Sequence, residues 1–305
     1  MKFGKLPDIA DVNFSLPSEP TANHSVLEKL PPTDEKTRVY IGCTGWSMKE
    51  WVGKVYPTGT KAADYLYHYS RQFNTIEFNT THYRIPNEAT VQKWYAESAA
   101  DFRFCPKVLQ LISHSRDLGY GSGKITEFCH AIAGLEEKLG CSFMQLPPYF
   151  GVDKLPVLAQ FLEKWPREIP LAIELRHESW FEQSAAFEKL ADLLENRQIP
   201  LVITDVAGRR DVLHLRLTAA TTMVRFVGNG LHDTDYERID EWVVQLRKWW
   251  NKGLSEIYFF PHEPDNILAP EMTAYLYEQL KDFAEIQIRG PKFLNADTGV
   301  QMNLF

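Results

Sequence analysis

Cysteine is scarce in this 305-residue chain, and no two cysteines are spaced to work as a pair. Cys43, Cys105, Cys129 and Cys141 form no Cys-x-x-Cys motif, and three of them fall in short apolar runs. Buried free thiols in a reduced compartment are expected, rather than a disulfide framework or structural zinc. No apolar run reaches the length of a membrane span, and residues 1–30 hold none of signal-peptide length. The expectation is a cytoplasmic protein with no membrane partner. A surplus of positive charge is also missing: the formal net charge is −7, so the chain as a whole is no polyanion binder. A local basic patch would not show in that total. There is no Gly-x-Gly-x-x-Gly after the first strand-like run, no His-x-His or His-Glu-x-x-His, and no Gly-x-Ser-x-Gly. A dinucleotide fingerprint, a locally encoded metal site and a hydrolase elbow are each disfavoured by those absences.

What is present is ordinary globular material, 44% hydrophobic and 24% charged, long enough for one large core. The most informative stretch is residues 73–86, Phe-Asn-Thr-Ile-Glu-Phe-Asn-Thr-Thr-His-Tyr-Arg-Ile-Pro. Ile76 and Phe78 alternate with Thr75, Glu77 and Asn79, which is the two-residue period of a strand. Beyond Asn79 the period stops, and His82, Tyr83 and Arg84 crowd together before Pro86, as in a loop leaving a strand end.

That unit recurs. Strand-like runs at 39–44, 102–108, 141–146, 171–176, 201–205, 223–228 and 256–260 join the one at 73–79. Helical periodicity covers 62–73, 89–98, 124–139 (with Gly140 as its C-cap), 155–165, 185–196, 236–252 and 270–283. Residues 206–222 form a poorly patterned connection. Eight strands with mostly helical crossovers predict an α/β fold, a (β/α)8 barrel of TIM type over 37–290. Residues 1–36 read as an extended N-terminal arm, and 291–305 as a polar tail.

In such a barrel the working end is the C-terminal end of the strands. Those ends carry Trp46, Glu77 and Asn79, Lys107, Gln145, Glu174 and Arg176, Asp205, Arg225, then His262 and Glu263. Glu77, Lys107, Glu174 and Asp205 are the candidate catalytic groups, the carboxylates for acid/base work. Trp46, Asn79, Tyr83, Arg84, His114, Gln145, Arg176, Trp180, Arg225 and His262 are the candidate substrate contacts. Arginines and lysine suit phosphate or carboxylate, and aromatic faces suit sugars or bases. The bland alternative is a buried salt-bridge ring that only closes the barrel, pairing Glu77 with Lys107, Glu174 with Arg225 and Asp205 with Arg176. No cofactor is expected. A divalent metal among Glu77, Glu174, Asp205, His114, His262 and Glu263 is the alternative, opposed by the cations beside them.

The chain resembles the DUF72, or YecE-like, family. The likeness rests on Gly42-Cys43-Thr44-Gly45-Trp46 with Trp51 and Tyr56-Pro57, and on residues 73–86. It continues through Phe102-Arg103-Phe104 with Lys107 and His114, Gln145-Leu146-Pro147-Pro148, Glu174-Leu175-Arg176-His177 with Trp180, and Asp205. It spans about residues 39–290 and implies a TIM-type barrel, not an activity. The chain departs from the family pattern in two places. Val227 stands where an Arg-x-His-Gly pattern would put histidine, and Phe260-Pro261-His262-Glu263 stands where paired asparagines would. The departures leave two readings, a chemistry different from that of relatives, or His262 replacing the lost imidazole from the neighbouring strand.

The chain ends Gln301-Met302-Asn303-Leu304-Phe305. Gln301, Leu304 and Phe305 match the short peptide by which bacterial replication and repair proteins dock on the DNA sliding clamp. Packing of the same residues on the barrel is the alternative. Three functions stay open: an enzyme on an anionic, flat substrate (nucleic acid, nucleotide or sugar phosphate) recruited to DNA by its tail; a sugar or sugar-acid enzyme unrelated to DNA; and a non-catalytic clamp-binding adaptor.

Overall fold

The computed structural model describes residues 4–30, 35–182, 184–294 and 301–302. The strands of the barrel are β1 Thr37–Ile41, β2 Thr75–Phe78, β3 Arg103–Pro106, β4 Ser142–Gln145, β5 Leu171–Glu174, β6 Val202–Asp205, β7 Thr221–Val227 and β8 Glu256–His262. The helices are α1 Ala22–Glu28, α2 Tyr65–Gln72, α3 Glu88–Glu97, α4 Gln110–Ser113, α5 Lys124–Ala133, α6 Leu155–Lys164, α7 Ser179–Glu182, α8 Ser184–Glu195, α9 Asp233–Trp250 and α10 Ala269–Leu280. Parallel ladders run β6–β7–β8–β1, β2–β3 and β4–β5. Isolated backbone bonds join the rest. Val108 N–H donates to Phe143 O at 2.9 Å, Ile173 N–H to Pro200 O at 3.0 Å, and Glu77 N–H to Cys43 O at 3.0 Å. Each strand therefore meets its neighbour in chain order and β8 meets β1, the arrangement of a (β/α)8 barrel.

Strand parity sorts the side chains. Tyr40, Cys105, Cys141, Phe143, Val202, Met223, Tyr258 and Phe260 pack together in the barrel interior. The alternate residues, such as Ile41, Ile203, Val224 and Phe259, pack against the helices. All four thiols are buried and unpaired. Among the described residues no helix is long and apolar enough to cross a membrane.

The seam between β1 and β2 explains the weight of residues 73–86. The Asn74 side chain donates to Val39 O and accepts from Ile41 N–H, both at 2.8 Å, standing in for ladder bonds the two strands do not make. At Gly42 a Cβ would lie 2.0 Å from Thr75 O, so only glycine lets the backbones approach this closely. Lower down, a short strand β9, Ile286–Ile288, pairs with the same edge of β1.

Two sequence expectations need correction. The helix expected over 124–139 ends at Ala133. Gly134 follows, a Glu136–Lys138 turn comes next, and Glu136 has φ 50. Gly140 is not a cap: its N–H donates to Phe104 O at 2.7 Å, and a Cβ there would meet that oxygen at 3.0 Å. It opens β4 against β3, a tertiary need that mimics a helix-stop signal.

The N-terminal segment, read as extended, contains α1. Val26 and Leu27 of α1 join Leu213, Leu215 and Leu217 in one apolar cluster, while Asn23 bonds Leu215 O and Leu217 N–H. The β6–β7 crossover has only a 3-10 segment, Ala207–Val212, so α1 covers the strand face that a crossover helix would cover elsewhere.

Candidate functional site

Parity delivers Glu77, Lys107, Gln145, Glu174, Arg225 and His262 to the inside of the barrel at its C-terminal end. Glu77 and Glu174 have no exposed surface, and Arg225 almost none. Arg225 bridges the two carboxylates. Its Nε and Nη2 donate to Glu77 at 2.8 and 2.9 Å, and its Nη1 donates to Glu174 at 2.6 Å. Asn79 Nδ2 donates to Glu77 Oε1 at 3.0 Å. Glu174 also accepts from Arg176 Nε at 2.9 Å and Gln145 Nε2 at 2.8 Å. Gln145 in turn accepts Lys107 Nζ at 3.0 Å. One relay thus runs from Glu77 through Arg225, Glu174 and Gln145 to Lys107.

The electrostatics follow from that wiring. Burial alone would raise the Glu77 carboxyl, but Arg225 and His262 outweigh it and hold it well below the ordinary range. Glu174 follows the same balance, with Arg225 and Arg176 bringing it down to about 2. Both carboxylates are therefore locked as anions with their lone pairs occupied, and neither is set up to exchange protons near neutrality. Lys107 is the reverse case. Burial and then Arg225 depress its ammonium to about 8, against the pull of Glu77 and Glu174.

His262 Nε2 lies 2.8 Å from Glu77 Oε2. An anionic carboxylate has no proton to give, so Nε2 carries the hydrogen and donates it. Burial, only partly offset by Glu77, lowers the imidazole from its ordinary value. A neutral ring with Nε2–H fixed on a carboxylate leaves Nδ1 as a bare lone pair, the oriented-base arrangement of acid/base sites. His262 borders a cavity of about 330 Å³ whose other walls include Val227, Glu263 and Leu6 of the N-terminal segment. Glu263, considered in the sequence only as a strand-end group and candidate metal ligand, has its carboxyl pushed up to about 7 by burial.

Not every candidate joins this cluster. Asp205 shares the outward parity of Ile203 and faces the helices. It accepts from Arg238 Nη2 and Trp242 Nε1, both at 2.8 Å, and from Arg210. Trp46 stacks on the outward-facing Phe78 at 4.9 Å. Trp180 is wholly buried, its Nε1 on Phe150 O at 2.8 Å. These three lie outside the cluster, and their strand or loop face was the signal that order along the chain concealed. Of the expected salt bridges, Glu174–Arg225 forms, while Glu77 and Asp205 take other partners.

His114, Tyr83 and Arg84 stand at the rim. The His114 ring is 5.6 Å from His82, whose Nδ1 contacts Val108 O at 2.7 Å. Tyr83 is exposed, and Arg84 lines a shallow groove with Trp94. Among the described residues no three His, Cys, Asp or Glu side chains converge as metal ligands. In the tail, the backbone of Gln301 and Met302 pairs antiparallel with Phe293 and Leu294; Leu304 and Phe305 lie outside the described residues.

Comparison with known proteins gives a consistent picture. The family described as "Protein of unknown function DUF72" matches residues 40–293. The UPF0759 protein YecE of Escherichia coli K12 is 32% identical over 261 residues, 80% of this chain and 93% of that protein. The UPF0759 protein YunF of Bacillus subtilis is 29% identical over 168 residues, 50% of this chain and 57% of that protein. A crystal structure of a DUF72 family protein from Enterococcus faecalis V583 superposes with a TM-score of 0.65, covering 82% of this chain and 99% of that one. At 22% identity that likeness concerns the fold alone. Matched across most of its length by the profile and by YecE, with only the N-terminal segment and the tail outside the matched span, the chain belongs to the DUF72 family.

Proposed function

We propose that this protein is an enzyme that binds an anionic, flat substrate (nucleic acid, nucleotide or sugar phosphate) at the strand ends and moves a proton there. The carrying observation is the saturation of Glu77 and Glu174 by Arg225. It takes the carboxylates out of proton exchange and leaves Lys107 and His262 as the groups suited to it. The assignment of acid/base work to Glu77, Glu174 and Asp205 is thus replaced: the first two orient, the third supports the helix layer. Arg176, Arg225 and Lys107 set three cations against two carboxylates, so the mouth favours an anion.

Titrating the protein with inorganic phosphate, ribose 5-phosphate and adenosine monophosphate tests this. Lys107→Met is expected to weaken anion binding by about 2 kcal/mol, roughly thirtyfold. Because the Lys107 ammonium loses its proton near 8, wild-type affinity should fall as the pH rises through that value. Binding that ignores both the substitution and the pH sinks the reading. His262→Gln should then abolish turnover of whichever compound binds while leaving its affinity within a few-fold, on the order of threefold.

Recruitment through the tail is the second part of the proposal. It is supported by the pattern of Gln301, Leu304 and Phe305, two apolar side chains for a pocket and an amide to orient them. A chain lacking residues 301–305 is expected to lose capture of the DNA sliding clamp in a pull-down. Equal capture with and without the tail removes this part and leaves the barrel chemistry untouched.

A further inference from the structure

The rim carries an exposed aromatic crescent that neither the buried ion cluster nor the barrel core uses. Tyr83, from the loop after β2, is 76% exposed; Tyr149, from the loop after β4, is 59% exposed. His82, from the same loop as Tyr83, and His114, from the loop after β3, connect them. Tyr83 meets His82 edge to face at 5.3 Å, His82 meets His114 at 5.6 Å, and Tyr149 Oη donates to His114 O at 3.2 Å. Leu111, three residues before His114, is 67% exposed. Single exposed apolar residues are commonplace, but several from three successive strand ends, with Tyr83 and Tyr149 linked through His82 and His114, make a patch.

The patch is bordered by cations. Lys154 Nζ sits 5.1 Å over the Tyr149 ring. Arg84 and Arg116 follow Tyr83 and His114 in the chain, are exposed, and make no ion pair among the described residues. Lys107 and Arg176 lie inward of His114, close enough to depress its imidazole once burial has done so. The nearby Asp117 carboxylate is turned onto its own loop, accepting from Ser115 Oγ and the N–H groups of Gly119 and Gly121.

Exposed flat rings, followed in the chain by exposed guanidiniums that make no ion pair among the described residues and set outside an anion-favouring mouth, fit a chain of alternating bases and phosphates. Stacking on an exposed ring needs an unpaired base. A duplex presents none, and the net charge of −7 opposes a broad backbone footprint. We infer that the substrate is a single-stranded nucleic acid, its bases stacked on Tyr83 and Tyr149 and its phosphates led past Arg84, Arg116 and Lys154 to Lys107. This rests on the proposed anion site and names the polymer that site serves.

Fluorescence anisotropy with labelled oligothymidylate and oligouridylate of about a dozen nucleotides tests it, with a duplex of equal length as the competitor. The expected result is binding of the single strands in preference to the duplex, weakening steeply with salt. A preference between the two oligomers assigns DNA or RNA. Tyr83→Ala and Tyr149→Ala should each weaken binding about tenfold, and Tyr→Phe at either site should restore it. Both rings are exposed, so melting temperatures should not move. Binding insensitive to both alanines, or a preference for duplex, overturns the inference. Lys107-dependent binding of inorganic phosphate without binding of either oligomer overturns it too, while leaving the proposed function standing. Absence of both kinds of binding removes the two together.

Discussion

Arg225→Met is expected to be the most damaging substitution in the molecule, costing about 4 kcal/mol of stability. Methionine fills much of the same space but supplies no donors. Glu77 keeps only Asn79 and His262, and Glu174 keeps Gln145 and Arg176, in a site from which water is excluded. A buried carboxylate deprived of its main counter-charge carries most of its desolvation penalty uncompensated. That loss is a large part of the total stability of an ordinary domain, on the order of 10 kcal/mol. Arg225→Lys keeps the charge but not the fork that serves two carboxylates at once, and should recover about half of the loss.

The pH dependence gives this prediction its sign. In the wild type both carboxyls are depressed in the folded state, Glu174 from 4.5 to about 2. They therefore contribute stability that is fully present above 4.5 and is lost as the pH falls toward 2. Without Arg225, burial dominates and pushes both upward, so the variant is penalised most where they must ionise. Urea unfolding midpoints of the two proteins should be furthest apart near neutral pH and converge below about 4. A gap that stays constant or widens in acid would mean that Arg225 acts through packing alone.

The second large effect is expected at Asp205. Asp205→Ala removes the acceptor shared by Arg238, Arg210 and Trp242 at the junction of β6, α9 and the N-terminal segment. Arg238 retains Asp235 at 3.1 Å, and Arg210 retains Phe14 O at 2.7 Å, so the cost is near the lower end for a broken buried pair, about 3 kcal/mol. Arg210 is also what ties the segment's backbone at Phe14 and Ser15 to the barrel. Limited proteolysis should therefore cut the variant faster within residues 4–30, and phosphate binding at Lys107 should persist in the folded fraction. A variant that melts like the wild type but binds no anion would return Asp205 to the mouth and refute the outward orientation described above.

Part of this was legible in the residues themselves. The two-residue period at Thr75–Phe78 and the alternation of apolar runs with helical stretches carry the barrel, because strand and helix periodicity are local properties of the chain. The same period, applied to Asp205 beside Ile203, would have turned that carboxylate outward. The proximity of Gln145, Glu174 and Arg176 was likewise readable, since all three have inward parity on adjacent strands. Gly140 shows the limit: a glycine after a helical run looks like a cap, and only the approach of Phe104 reveals that it serves the sheet.

The chain alone determined that charged tips of inward parity would collect at one end of a barrel, since side-chain direction along a strand follows from backbone geometry. Which tip meets which was decided only by the assembled barrel. Glu77 finds Arg225, 148 positions away, rather than Lys107 on the adjoining strand. The stagger of strands around a barrel sets the height of each side chain, and a guanidinium long enough to reach two carboxylates takes both. That choice holds both carboxylates as anions and leaves Lys107 on Gln145, and no local pattern encodes it.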